Sequence, residues 1–500
     1  MIHTALFEIP PITDKWETKE FSANNFGQQI ERIKLEKEYI KITDISDKFN
    51  RKNVSYQLSK NNALHRWLKY KEGFSSDLVR TLLNDFNIKE GDTVLDPFAG
   101  SGTTNMVCKM HNINSICFDI LPLSEIVINA KQAIFDYDLL EIKQLIQEVS
   151  ALSIPQDYPH KTPYINITYG AYPENTTKDI AFITEWNAKN HHSQALKNLI
   201  TLTILNSLEK ISYTSKDGQF LRWDYRSEKM QETQKKRQER GIPSLSTKLD
   251  KGELPTLKQS IIQELHNIYE DILYIQKQTK PNTATLHFSN NSALFELPKI
   301  PDNSIHAVIT SPPYCNRYDY TRTYALELAY LGSTDTSIKQ LRQALLSCTV
   351  ENKSKIQELN DLYLSLNKEK DFYNVLQLIE NNPTLNEINN NLIKRSEVGD
   401  INNRGILQMV KGYFTELTFV YMELFRVCKS GAKVAFVNDN VRYGGEIIPV
   451  DYISTYIAQQ IGFKPVKIYS LKQQKGNSSQ QMAKFGRAPL RKSITIWEKP

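Results

Sequence analysis

Thr93-Val94-Leu95-Asp96-Pro97-Phe98-Ala99-Gly100-Ser101-Gly102-Thr103-Thr104 decides how this 500-residue chain is read. Thr93-Val94-Leu95 is a short apolar strand entered from the Gly91-Asp92 turn, and the glycines stand where that strand hands over to a helix. Glycines at such a junction let backbone approach a ligand closely, and the helix N-terminus beyond favours negative charge. A phosphate-cradling loop of the nucleotidase type needs Lys after its last glycine, but Thr103 stands there. A dinucleotide fingerprint needs a third glycine three positions beyond Gly102, where the chain has Asn105. On spacing alone, a tight structural turn stays open.

Outward from the loop, strands and helices alternate. Phe74, Leu78, Leu82, Leu83 and Phe86 recur at helical spacing over residues 74–87. Ile113 to Ile120 reads as a second strand, and Pro122 opens the helix after it. A second block begins near Thr283, with a strand over Ala284 to Phe288. Another strand, His306 to Thr310, runs into Ser311-Pro312-Pro313-Tyr314. In a third block, Phe414, Leu417, Tyr421, Leu424 and Cys428 share a helix face that Lys429-Ser430-Gly431 should end. A strand over Val434 to Val437, a helix over Pro449 to Ile461, and strands Val466 to Leu471 and Ser493 to Trp497 follow. This alternation predicts an α/β fold with a doubly wound, mostly parallel sheet. Two polar, mainly helical inserts interrupt it, and both are too long to be loops. The expected division is 1–60, an N-terminal extension; 61–149, a cofactor part; 150–282, an insert; 283–332, a catalytic part; 333–407, a second insert; and 408–500, a C-terminal part.

Composition narrows the class. Apolar residues make up 40% and charged residues 24%, as in a soluble globular protein. No run of 18 apolar residues occurs, so no membrane span is expected. Residues 1–11 have neither a basic start nor a sustained apolar run, which predicts no secretory signal. The five cysteines form no C-x-x-C pair, so neither a metal site nor a disulfide framework is expected, and a cytoplasmic location fits. The net charge of +6 is a weak pointer to nucleic acid, so its placement matters more.

The loop Asp96 to Thr104, taken whole with Thr310-Ser311-Pro312-Pro313-Tyr314, resembles the amino-methylating DNA methyltransferases, which use S-adenosylmethionine. The resemblance covers roughly residues 60–140, 284–332 and 408–500. It implies a class I methyltransferase fold, Rossmann-like. Asp96, Pro97, Phe98, Ala99, Gly100, Ser101, Gly102, Thr103 and Thr104 would hold the methionine end of the cofactor, with Phe74 and Ser75 packing on it. Asp119 would take the ribose hydroxyls and Asn291, where the family usually has an acid, the adenine amine. His306, near another usual acid position, reads as a structural substitution.

The catalytic candidates are Ser311, Pro312, Pro313 and Tyr314. An exocyclic amine is a poor nucleophile because its lone pair is delocalised into the ring. Acceptors at the Ser311 hydroxyl and the Pro312 carbonyl would draw its protons, and Tyr314 would stack on the extruded base. Methylation at cytosine carbon-5 needs a thiolate after proline, whereas Cys315 follows Tyr314. Ser before the two prolines favours cytosine N4 over adenine N6, by the resemblance alone. Two further functions stay open at this point: an RNA guanine-N2 methyltransferase, and a nucleic-acid-binding protein with a vestigial cofactor fold.

Double-stranded DNA is the expected partner, and a separately encoded restriction endonuclease is implied. Residues 222–240 carry 7 basic and 4 acidic residues, among them Arg222, Arg226, Lys235, Lys236 and Arg237. Lys472 to Lys492 carries six basic residues and no acid, with Lys475, Lys484, Arg487 and Arg491 as phosphate-contact candidates.

Overall fold

A computed structural model of the chain describes residues 17–159, 164–245, 249–472, 482–486 and 488–500. The absence of a signal, expected for residues 1–11, and the candidates Lys475 and Arg487 lie outside the described residues.

Among the described residues twelve strands form: β1 (Thr43–Ile45), β2 (Thr93–Asp96), β3 (Asn114–Phe118), β4 (Thr214–Asp217), β5 (Phe220–Trp223), β6 (Leu286–Ser289), β7 (Ile305–Thr310), β8 (Cys428–Asp439), β9 (Val441–Tyr443), β10 (Glu446–Ile448), β11 (Lys464–Ser470) and β12 (Lys492–Glu498). Eight build one sheet in the order β1-β11-β12-β8-β7-β2-β3-β6. β12 runs antiparallel to both β8 and β11, and every other pairing in this sheet is parallel. This is the doubly wound sheet of a class I methyltransferase, with β1 added at one edge.

Helices cover both faces, so central strands are apolar on both sides. Val308 of β7 packs with Phe436, Tyr421 and Trp497 on one face, while Val94, Ile309, Ala435 and Leu78 form the core of the other. The Trp497 ring stacks on Phe436 at 5.4 Å and meets Tyr421 edge-on at 5.0 Å. From β2 the chain winds one way through β3 and β6, then returns to add β7 and β8 on the other side of β2. The winding therefore reverses between β2 and β7, and a sheet of this kind opens a crevice at the carboxyl ends of the strands at that point.

Three features depart from the sequence reading. The helix Gly405–Val427 stops at Cys428, and Lys429-Ser430-Gly431 lies inside β8 instead of capping the helix. The first insert carries the hairpin β4–β5, and β9 and β10 make a second hairpin. Residues 17–60 are built into the fold: β1 pairs with β11, and Arg32, fully buried, bridges Glu387 and Glu446 of β10, each at 2.9 Å. Among the described residues, no helix is long and apolar enough to cross a membrane.

Arg491 is corrected from a DNA-contact candidate to a structural residue. It is 1% exposed, its Nε donates to Asp451 at 2.6 Å, and its guanidinium lies 3.9 Å from the Tyr452 ring centroid. A cation so placed cannot meet phosphate, and removing it leaves the buried Asp451 without its counter-charge. Arg491→Ala should cost about 3–5 kcal/mol of stability in urea denaturation; a loss below about 1 kcal/mol would contradict this role.

Candidate active site

The glycine loop leaves the carboxyl end of β2, and Ser311-Pro312-Pro313-Tyr314 leaves the carboxyl end of its neighbour β7. Gly100 and Gly102 adopt left-handed backbone, with φ of 54° and 76°. A Cβ on Gly100 would come within 2.6 Å of the Tyr70 ring, and one on Gly102 within 2.9 Å of Ile128. Gly102 then starts the helix Thr103–Met110, whose Thr104 hydroxyl donates to the Ile309 carbonyl of β7 at 3.2 Å.

Asp96 is fully buried at the end of β2. Its Oδ1 accepts from the Thr310 hydroxyl at 2.6 Å and from the Phe98 amide at 3.2 Å, while Oδ2 has no partner. Burial pushes its carboxyl up to about 6 despite those hydrogen bonds. Asp119, half-buried after β3, accepts from the amides of Gly100 at 2.8 Å and Leu121 at 2.9 Å and from the Ser124 hydroxyl at 2.9 Å. Its carboxyl is likewise pushed up to about 6 by burial.

The two loops open onto one shared, narrow cleft. Of the expected cofactor residues, Phe74, Pro97, Phe98, Ala99, Gly100, Ser101, Thr103, Asp119 and Asn291 line it, as do Ser311 and Pro313 of the catalytic candidates. Asp96, Gly102 and Thr104 stand behind the lining. Ser75, fully buried, accepts from the Leu78 amide to cap the helix Ser76–Asp85. Asn291 donates to Glu296 at 2.6 Å. His306 ties β7 to the start of β2 by accepting from the Thr93 amide at 2.9 Å.

Tyr314 departs from the sequence expectation. Its ring is 3% exposed, its hydroxyl accepts from the Ser311 hydroxyl at 3.0 Å, and the Lys492 ammonium lies 4.8 Å from its centroid. It offers no open face for a base in this arrangement. Cys315 is fully buried, which pushes its thiol up and disfavours the thiolate that carbon-5 chemistry would need.

Sequence reasoning missed several residues of the cleft. Tyr70 and Tyr320 line it, and Tyr70 is stacked on Tyr324 at 5.3 Å. Ala344 to Leu346, from the second insert, close one side. The hairpin β4–β5 reaches its surroundings: the Gly218 carbonyl accepts from Lys71 at 3.0 Å, and the Gln219 side chain accepts from the Asp319 amide at 2.8 Å. Gly218-Gln219, a two-residue loop with glycine in its first position, was the signal that could have found that element.

The basic candidates separate by environment. Arg222 is exposed and paired with Asp217, and Lys235 and Lys236 are exposed on the helix Glu228–Glu239, where Arg237 donates to the Pro243 carbonyl. Arg226 is committed to Asp224, with donors at 2.9 and 2.7 Å, and so braces the turn after β5. Lys484 is exposed and pairs with Asp400.

The raised Asp96 carboxyl carries a pH signature. Unfolded, it ionises near pH 4, so at pH values between about 4 and 6 the folded state keeps a proton that the unfolded state has lost. Its contribution to stability therefore falls as pH rises through that window and stays low above it. Asp96→Asn should gain about 3 kcal/mol relative to the parent between pH 4 and pH 7 in urea denaturation without ligand. A difference independent of pH would contradict the raised carboxyl.

Comparison with known proteins agrees with this geometry. The DNA methylase family profile matches residues 11–126, and that of the D12 class N6 adenine-specific DNA methyltransferases matches residues 71–276. The chain is 58% identical to the type II methyltransferase M.BsoBI of Geobacillus stearothermophilus over 97% of its own length and 95% of that protein. It is 37% identical to the type II methyltransferase M.AvaI of Nostoc sp. over 96% of its length and 95% of that protein. With the two loops joined at the reversal of the sheet and these relatives matching nearly from end to end, the chain belongs to the type II DNA methyltransferases of restriction–modification systems.

Proposed function

We propose that this enzyme transfers a methyl group from S-adenosylmethionine to the exocyclic N4 of cytosine in duplex DNA, protecting sites that a separately encoded cytoplasmic endonuclease would cut. The observation that carries it is the shared cleft, which puts the Ser311 hydroxyl on the same lining as the glycine loop. The residues fit the cofactor. The orphaned Asp96 Oδ2 is a buried acceptor suited to an α-ammonium, Asp119 is an oriented carboxylate suited to a ribose, and Phe74 offers an apolar wall. The cofactor supplies an electrophilic methyl; the chain supplies position. Ser311 and the Pro312 carbonyl would accept hydrogen bonds from the amine and so aim its lone pair out of the ring plane, the proton lost from nitrogen on methylation would pass to solvent, and no covalent enzyme–base bond would form. A base in a duplex must first be flipped out, at a cost of about a few kcal/mol.

In this reading, residues 150–282 present the DNA. Exposed Phe220, Arg222 and Tyr225 stand on and beside the hairpin that docks near the cleft, and Lys235 and Lys236 extend the basic surface. Adenine N6 is the second reading, favoured by the match to the adenine-specific D12 class. That match spans the glycine loop and most of the first insert but ends at residue 276, before Ser311. Ser311 is the residue on which the cytosine reading rests.

Nucleoside mass spectrometry of DNA from cells expressing the enzyme should show N4-methylcytosine; N6-methyladenine instead would overturn the choice of base. Asp96→Ala should weaken cofactor binding about tenfold or more, whereas Ser311→Ala should cut methyl transfer about 100-fold with cofactor affinity retained. Identical behaviour of the two variants in binding and turnover assays would contradict the two-loop assignment.

A further inference from the structure

Behind the catalytic loop lies a buried group that the methyl-transfer scheme leaves unused. Lys492, the first residue of β12, is 8% exposed and stands opposite Asp439, the last residue of β8. Its ammonium lies over the Tyr314 ring, 4.8 Å from the centroid. The charges of Asp439 and Glu72 act on it, and that of Arg51 acts on Asp439. One Asp439 oxygen is buried without a partner, so this cluster is polar, enclosed and incompletely satisfied.

Resting on the methyl-transfer reading above, we propose that Tyr314 orients Ser311 through its hydroxyl, and that Lys492 is the positioning residue holding Tyr314 in place. A serine hydroxyl has one proton and two lone pairs. In this structure the proton is committed to the Tyr314 oxygen at 3.0 Å. The lone pairs are thereby left for the incoming amine, which can only donate to them. A freely rotating hydroxyl would spend part of its time pointing its proton at the amine, a repulsive arrangement. Lys492 bears donors and no acceptor, so it cannot compete for the Ser311 proton. Its ammonium on the phenol keeps the Tyr314 hydroxyl proton turned away and the oxygen open to Ser311. Burial and the neighbouring Asp439 and Glu72 act on Lys492 in opposite directions. The acids and the phenol prevail, so its affinity for its proton rises and the ammonium stays charged across the working pH range. The step involves hydrogen-bond direction only, and no bond to the base or cofactor is made by Tyr314 or Lys492.

Stacking and orientation make opposite demands on the phenol oxygen, so Tyr314→Phe separates them. The assay is transfer of tritiated methyl from S-adenosylmethionine to unmodified bacteriophage DNA, with cofactor affinity measured alongside by calorimetry. Tyr314→Phe should lower kcat about 10- to 100-fold, with KM for DNA and cofactor Kd within about twofold of the parent. Lys492→Met should do the same, and Lys492→Arg should recover part of the loss. In a Ser311→Ala background, Tyr314→Phe should add nothing, because the oriented group is already gone. Parental kcat in Tyr314→Phe, with loss only in Tyr314→Ala, would overturn the proposal in favour of a stacking ring. Parental kcat in Lys492→Met would remove Lys492 from it. If the parent enzyme itself moves no methyl group to DNA, the methyl-transfer reading fails and the inference with it.

Discussion

A buried hydrogen bond ties the two functional loops of this enzyme together: the Thr310 hydroxyl donates to Asp96 at 2.6 Å, linking the carboxyl ends of the paired strands β7 and β2. The two partners stand 214 positions apart in the chain, and the first insert lies between them. The doubly wound sheet nevertheless makes their strands neighbours, because its winding reverses there. At that point helices cannot cover the carboxyl ends of both strands, and a cleft is left. The loop that suits a cofactor and the loop that suits an amine thus face one space through topology alone.

The site is held under electrostatic load. Asp96 and Asp119 are both raised by burial, so the ligand-free protein bears carboxylates that would be better served by bound donors. Such sites trade stability for affinity. Other buried charges are paired and serve to assemble distant segments. Arg32 ties the N-terminal extension to the second insert and β10, Arg395 bridges Glu446 and Asp400, and Arg491 anchors the start of β12 to Asp451. β12 itself begins at the next residue, Lys492.

Much of the fold was legible because its strands are short apolar runs that meet functional loops. β2, β3, β7 and the late pair β11 and β12 all overlap the stretches that apolar runs and turn residues marked. The glycine loop and Ser311-Pro312-Pro313-Tyr314 were readable because each needs residue types with few substitutes at that backbone geometry. Features set by tertiary contact were not. β1 is only three residues long and exists because it adds to β11. The lining from residues 344–346 comes from an insert whose local sequence says nothing of where it docks. Charge counting also misjudged Arg491, since a basic residue in sequence carries no record of whether a buried Asp will claim it.

The proposed function depends on one cleft at the β2–β7 junction holding the methyl donor beside Ser311. A crystal structure of the enzyme with S-adenosylhomocysteine tests this most directly. The predicted result is the amino-acid end of the ligand on Asp96, its ribose on Asp119, and its sulfur directed at Ser311. Density for the ligand elsewhere, or in the cleft with its sulfur turned away from Ser311, would contradict it.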